Sequence, residues 1–325
     1  MMFKKTVLSA SLAALAIAGS VHAQEFPSKT ISIVMPYSAG GPGDTLARLV
    51  AQSMSKTLKK QVIVENYPGA GGTIGSARVA NAPPDGHQLL MIHVSHATNP
   101  ALYPKLAYDS IKDFEPVGLF ADLPMVVVSK KDMPVKNFKE LIDYVKANKD
   151  KVNYAHAGTG SASHLCGLLF SSAIKTKITM VPYKGAAPAI TDMLGGQVDF
   201  MCDQTVNVVP YLKSGRIKGY AIASKTRSPA LPELPTANES GLPGFELNIW
   251  YGVFAPKGTP KPVLDKLSAS LQEAVKDPIV KTKLAELGAV PVSEDRARPE
   301  PLRVQLKSEI DKWGAVIKEA GVYGE

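Results

Sequence analysis

Two stretches of this sequence carry the residue types of an anion-binding turn. Tyr37-Ser38-Ala39-Gly40-Gly41-Pro42-Gly43-Asp44 and His156-Ala157-Gly158-Thr159-Gly160-Ser161-Ala162-Ser163-His164 each combine several glycines with hydroxyl side chains. Each follows a predicted strand and opens a predicted helix. A helix N-terminus presents unpaired N–H groups and a partial positive charge, and glycine lets the backbone approach a ligand closely. On opposing lobes, two such turns grip two anionic groups, or one group from both sides. The plainer alternative is that the glycines only make tight turns; their recurrence at matching positions in successive halves of the chain favours ligand contact.

Other constellations point away from catalysis. Gly69-Ala70-Gly71-Gly72-Thr73-Ile74 breaks the dinucleotide pattern G-x-G-x-x-G at Ile74, and G-x-x-x-x-G-K-[ST] is absent, so no nucleotide cofactor is expected. The turn at Gly158 to Ser163 does not fit the G-x-S-x-G of a serine hydrolase. His93 and His96 have H-x-x-H spacing, but a strand end does not put both rings on one face and no third metal ligand is evident. Lining of the ligand cleft is the role expected of His96. His164, in the first turn of a helix, either reaches the cleft or caps the turn. Asp44 reads as a carboxylate of the N-cap region rather than a general base. Asp203, just past the strand Val198 to Met201, lies where a cleft residue belongs; it orients a ligand hydroxyl or ammonium, or ties down the turn at Lys184-Gly185.

The elements that position these turns alternate between short apolar runs and helical patterns, which reads as α/β with largely parallel sheets. Ile31 to Tyr37, Val62 to Val64 and Leu89 to Val94 are the strands of one doubly wound lobe, with Leu46, Leu49, Val50, Met54 and Leu58 on one helix face. A second lobe starts near Met125 and repeats the pattern through Ile217 to Ala223. The Pro-rich stretch Ser228 to Phe245 leads to Leu247 to Phe254, a strand expected to cross back into lobe one. Three helical patterns after Pro256 finish the chain without further strands. Lobe one is thus expected to comprise residues 24–124 and 247–325, and lobe two residues 125–246.

Composition sets the context. Lys4-Lys5, an uncharged run from Thr6 to Val21 and Val21-His22-Ala23 before Gln24 read as a signal peptide over residues 1–23. The run is shorter than the roughly 20 residues of a membrane helix, and no Cys follows it to make a lipoprotein. Export to the periplasm is the expectation. The 37 basic against 29 acidic residues give a net charge of +8, which suits an anionic ligand. The basic residues are scattered without an aromatic stripe, which disfavours nucleic acid. The two cysteines, Cys166 and Cys202, either pair in an oxidising compartment or remain as buried thiols.

Taken together, the phrases of the chain resemble the tripartite tricarboxylate transporter substrate-binding family, the Bug-type receptors. Phe26-Pro27-Ser28-Lys29, Ala39-Gly40-Gly41-Pro42-Gly43-Asp44 with Ala47-Arg48, and Val62 to Asn66 leading into Gly69-Ala70-Gly71-Gly72-Thr73-Ile74-Gly75 come first. Pro84-Asp85-Gly86, Val181-Pro182-Tyr183-Lys184-Gly185, Gly195-Gly196-Gln197-Val198-Asp199 and Gly241-Leu242-Pro243-Gly244-Phe245 follow in order. The resemblance runs through the whole mature chain. It implies a two-lobe Venus-flytrap fold, no catalysis, and delivery of a carboxylated solute to the subunits of an ion-coupled membrane transporter. It also implies that Tyr37, Ser38, Ala39, Gly40 and Gly41, with Gly160, Ser161 and Ser163, hold one carboxylate, partly through ordered waters. Gly72 belongs to the same expected ligand set, and Ser95, His96, Lys184, Gly185 and Asp203 are expected near the far end of the ligand. Many relatives lack Cys166 and Cys202, so their pairing rests on co-occurrence and compartment.

The sequence-based expectation is therefore a monomeric periplasmic receptor for a small carboxylate, either a dicarboxylate or an aromatic carboxylate. Two opposed helix ends plus Lys184 supply more positive potential than one carboxylate requires, which favours a dicarboxylate. An exported enzyme and a periplasmic sensor that presents its closed lobes to a receptor kinase are the alternatives.

Overall fold

The computed structural model describes residues 25–321. The expected signal peptide lies outside the described residues. In chain order, β1 (Ile31–Met35), α1 (Pro42–Leu58), β2 (Val62–Asn66), α2 (Thr73–Ala80), β3 (Gln88–His93) and α3 (Ser95–Leu102) come first. Then follow β4 (Phe114–Lys130), α4 (Phe138–Ala147), β5 (Asn153–His156), α5 (Ala162–Ala173), β6 (Thr179–Pro182) and α6 (Ala186–Leu194). Next are β7 (Phe200–Gln204), α7 (Thr205–Lys213), β8 (Ile217–Ile222) and β9 (Asn248–Pro256). The chain closes with α8 (Lys261–Lys276), α9 (Pro278–Glu286), β10 (Val290–Pro291) and α10 (Pro299–Ala320).

Local sequence explains the elements that carry the turns. In β1, Ile31, Ile33, Val34 and Met35 are all buried, as in a strand covered on both faces. It lies parallel to β2 and β3, with Ile33 opposite both Val64 and Leu89. α1 begins with Pro42, whose fixed φ suits a first helical position. Its Leu46, Val50, Met54 and Leu58, four residues apart, form the buried stripe. Asn137 caps α4 by accepting the Glu140 N–H at 2.9 Å.

The strand order is β2-β1-β3-β9-β4-β7-β5-β6, with β8 and β10 also pairing with β4. Each lobe thus contains a parallel trio, β2-β1-β3 in the first and β6-β5-β7 in the second. β4 is common to both. It runs antiparallel to β9 from Phe114 to Pro124, and to β7 and β8 from Met125 to Lys130. Where it changes partners, the Met125 N–H donates to the Leu247 carbonyl and the Leu247 N–H to the Ala223 carbonyl. The sequence reading begins this strand only at Met125. Pro116, Gly118 and Pro124 hide its first part, and the bulges near Gly118 and Leu119 are where the strand accommodates them. The two-residue β10, which pairs with Asp122 and Ala121 of β4, is a strand where none was expected, between the last two helical patterns.

Cys166 of α5 and Cys202 of β7 form a disulfide with a Cα separation of 6.1 Å. The bridge joins the helix that opens at Ser161 to the strand that carries Asp203, so two cleft elements share one covalent tie.

Candidate functional site

The turn after β1 is held by its own side chains. Asp44 Oδ2 accepts the Gly40 N–H at 3.0 Å and Arg48 Nε at 2.9 Å, while Asn66 Nδ2 donates to Asp44 Oδ1 and to the Tyr37 carbonyl. Burial would push the Asp44 carboxyl up, but hydrogen bonds from Arg48, Gly40 and Asn66 hold it below the usual carboxylate range. Asp44 is a brace of the turn. The turn after β5 is built the same way. Ser161 caps α5 by accepting the His164 N–H at 3.2 Å, and Ser163 Oγ accepts the Ala157 N–H at 2.8 Å. His164 Nδ1 accepts the Gly160 N–H at 3.2 Å, so this histidine caps the turn. Burial, then the neighbouring His156, pushes it down to about 3, which keeps it neutral.

The turn after β5 meets the first lobe across the cleft. Thr98 of α3 donates to the Gly160 carbonyl at 3.1 Å, and Tyr103 donates to the Thr159 carbonyl at 3.2 Å. Within the first lobe, Tyr37 donates to the Gly71 carbonyl at 2.9 Å. Two glycines make this approach close. A Cβ on Gly71 would lie 2.0 Å from the Thr159 carbonyl oxygen, and one on Gly185 would lie 2.1 Å from Ser38 Oγ. Both also have positive φ, 58° and 153°. The lobes are closed on one another.

Two abutting cavities lie between them, with Tyr37 and Ala157 lining both. The outer one, of about 490 Å³, is bounded by Gly69 to Gly71 and Tyr103 on one side and by Gly158, Thr159 and Pro182 to Lys184 on the other. The inner one, of about 20 Å³, is lined by Gly41, His93, Ser161, Ser163, Asp203, Gln204 and Tyr251, among others. That volume holds about one water. Four helices start at the inner cavity: α1 after Gly41, α5 after Ser161, α6 with Ala186 and α7 after Gln204. Their N-terminal N–H groups give it positive potential.

The structure therefore brings together Tyr37, Gly41, Ser161, Ser163, Lys184 and Asp203 of the expected set. Ser38, Gly160 and Gly185 sit at the contact between lobes rather than on a cavity wall, the Ser38 hydroxyl buried without a partner. Ala39 and Gly40 are exposed beside the cleft. Gly72 packs against the Tyr37 ring. Two expected residues fall elsewhere. Ser95 and His96 are fully buried, because the chain turns into α3 straight after β3. The His96 ring packs among Tyr108, Phe114 and Phe254, beneath the cleft floor. Its neighbour His93 lines the inner cavity instead, stacked on Tyr37 at 4.8 Å. Position at the carboxyl end of a strand was the available signal for it. Gln204, the last residue of β7, carried the same signal, whereas Tyr103 and Tyr251 did not.

Charge inside the cleft is set by burial. His93 is pushed down to about 3, so it is neutral; its Nδ1 accepts the Ser95 N–H at 3.1 Å, leaving the proton on Nε2. Asp203, 2% exposed, is pushed up by burial to about 6. At pH 7 and above it is ionised, which the surrounding helix N-termini support. Because the folded carboxyl titrates above its unfolded counterpart, ionisation costs stability as pH rises from about 4 to 6, by up to roughly 3 kcal/mol. Asp203→Asn is therefore expected to melt higher than the wild type at pH 8 when ligand-free, with the difference fading toward pH 4. An unchanged or lower melting temperature at pH 8 would contradict that assignment.

Residues 46–322 match the family described as Tripartite tricarboxylate transporter family receptor. The chain is 50% identical over 296 residues to the UPF0065 protein in the TAR-I ttuE-ttuC' intergenic region of Agrobacterium vitis, covering 91% of this chain and 86% of that one. Its structure is similar to that of the periplasmic binding protein BugD, with 47% identity, a TM-score of 0.89 and coverage of 92% of this chain and 99% of that one. MatC (Rpa3494) from Rhodopseudomonas palustris, solved with bound malate, is 44% identical with a TM-score of 0.87, covering 90% of this chain and 100% of that one. A two-lobe α/β fold with a cleft between the lobes, and these matches along most of its length, make the chain a member of the tripartite tricarboxylate transporter family of receptors, of the Bug type.

Proposed function

We propose that this protein is a periplasmic receptor that captures a dicarboxylate between its lobes and presents the closed form to the subunits of a tripartite tricarboxylate-type membrane transporter. It acts as a monomer and without catalysis. The observation that carries this reading is the convergence of four helix N-termini, from both lobes, on a cleft whose outer cavity ends at Lys184. One carboxylate lies in the outer cavity where it abuts the inner one, within the field of those helices and beside Tyr37. The second extends toward Lys184, between Tyr103 and Tyr183. A volume of about 490 Å³ is ample for a small diacid. Residues 25–124 and 247–321 form one rigid body and 125–246 the other, hinged at Pro124–Met125 and Leu247. The malate in MatC, whose sequence is 44% identical, supports the substrate class.

The test is a thermal-shift screen of residues 24–325, unfolded and refolded to strip any retained ligand. At a hundred times its dissociation constant, a cognate dicarboxylate adds about 2.7 kcal/mol of apparent stability. Recovery of the acid unchanged after prolonged incubation distinguishes a receptor from an enzyme. Failure of every dicarboxylate to shift the transition would refute the proposal.

A further inference from the structure

We propose that the inner cavity is a subsite for a hydroxyl group on the ligand, read by Asp203 and Gln204 as acceptors and by His93 as donor. The inference rests on the dicarboxylate reading above and specifies which dicarboxylates the cleft prefers. An anion-binding cleft with a carboxylate in its floor poses a physical problem, since Asp203 repels any acid that approaches. Asp203 makes no salt bridge among the described residues; Oδ1 accepts the Gln204 N–H at 2.8 Å and Oδ2 accepts Asn207 Nδ2. A carboxylate has about four acceptor positions, so two remain. Gln204, 3% exposed and lining the same cavity, has its Oε1 buried without a partner. Two unfilled acceptors in a water-sized space call for a small donor.

The donor is a hydroxyl rather than an ammonium. The neutral His93 ring also lines this cavity, and with Nδ1 occupied by the Ser95 N–H its free function is Nε2–H, a donor. A hydroxyl gives its one proton to Asp203, shared with Gln204 Oε1 in a three-centre bond, while its oxygen accepts from His93 Nε2–H. An ammonium only donates and leaves His93 without an acceptor. At about 20 Å³ the cavity admits a hydroxyl but not a carboxylate, which stays in the outer cavity. With an unsubstituted diacid the space holds a water, and Asp203 then contributes nothing to preference.

Isothermal titration of the stripped, refolded protein at pH 8 tests this with succinate, malate and aspartate, and with glutarate and 2-hydroxyglutarate. The hydroxy acid of the bound chain length is expected to bind ten- to a hundredfold tighter than the unsubstituted acid, the range of a hydrogen bond to a charged group. In Asp203→Asn that preference should fall below about threefold, and in Gln204→Ala it should shrink part of the way. Equal binding of substituted and unsubstituted acids by the wild type overturns the hydroxyl subsite alone. So does an Asp203→Asn protein that keeps the full preference, or aspartate binding tighter than malate. Binding of none of the five acids overturns the dicarboxylate reading with it.

Discussion

Gly71→Ala is expected to weaken ligand binding by a hundredfold or more while leaving each lobe folded. The added methyl would stand 2.0 Å from the Thr159 carbonyl oxygen and 2.8 Å from the Tyr103 hydroxyl. The first is backbone of the opposite lobe and cannot swing aside, so the strain is relieved by parting the lobes. Parting them breaks the Tyr103 to Thr159 and Thr98 to Gly160 hydrogen bonds and separates the two halves of the ligand site. Apparent affinity falls in proportion to the closed, binding-competent fraction, so a hundredfold loss of closure is a hundredfold loss of affinity. Alanine in the left-handed region costs a further 1–2 kcal/mol or so by itself. Gly196→Ala controls for that cost, since Gly196 has φ 75° and no atom within 4 Å of the place its methyl would take. Titration, with small-angle scattering in the presence and absence of ligand, provides the measurement. If Gly71→Ala binds and compacts as Gly196→Ala does, the closed contact described between Gly71 and Thr159 does not form in solution.

The second large effect is expected on the Cys166–Cys202 bridge. It closes a loop over a sequence separation of 36 residues, which in the chain-entropy account stabilises the folded state by about 4 kcal/mol. For a protein of this size that corresponds to a drop of roughly 6 °C in melting temperature when the bridge is removed. Calorimetry of the Cys166→Ala/Cys202→Ala protein, and of the wild type with and without reductant, checks it. Reduction should lower the wild type and leave the double variant unmoved. A wild type that melts with the double variant and exposes two reactive thiols on unfolding without reductant would show that the cysteines are unpaired in solution. Ligand affinity should also fall several-fold, because the bridge holds Ser161 and Ser163 in register with Asp203.

Tight turns and helix starts were legible because their chemistry is local. Gly40 and Gly160 supply positive φ, Ser161 supplies a cap, and Pro42 opens a helix, each within a few residues of the backbone it shapes. The alternation of strand and helix fixed which turns lie at carboxyl ends of strands. The new apolar run at Met125, where β4 changes partners from β9 to β7 and β8, showed in the same pattern. The placement of His96 was not legible. A continued strand would have kept His96 near the cleft, but α3 begins at Ser95, although Pro100 lies within it and marks a poor helix former. That helix carries His96 into the aromatic core, and it aims Thr98 and Tyr103 at the other lobe.

By itself, the sequence determined that this chain has two α/β lobes, each presenting a glycine-rich helix start to a cleft, in a protein of the tripartite tricarboxylate transporter receptor family. Only the tertiary structure decided which side chains line that cleft. His93, Asp203, Gln204 and Tyr251 come from β3, β7 and β9, strands that are far apart in sequence and belong to both lobes. Local propensity acts over a few residues, whereas the cavity is what remains when two separately packed lobes close on one another. Its size, its unfilled acceptors and the tautomer of its histidine exist only in that closed packing.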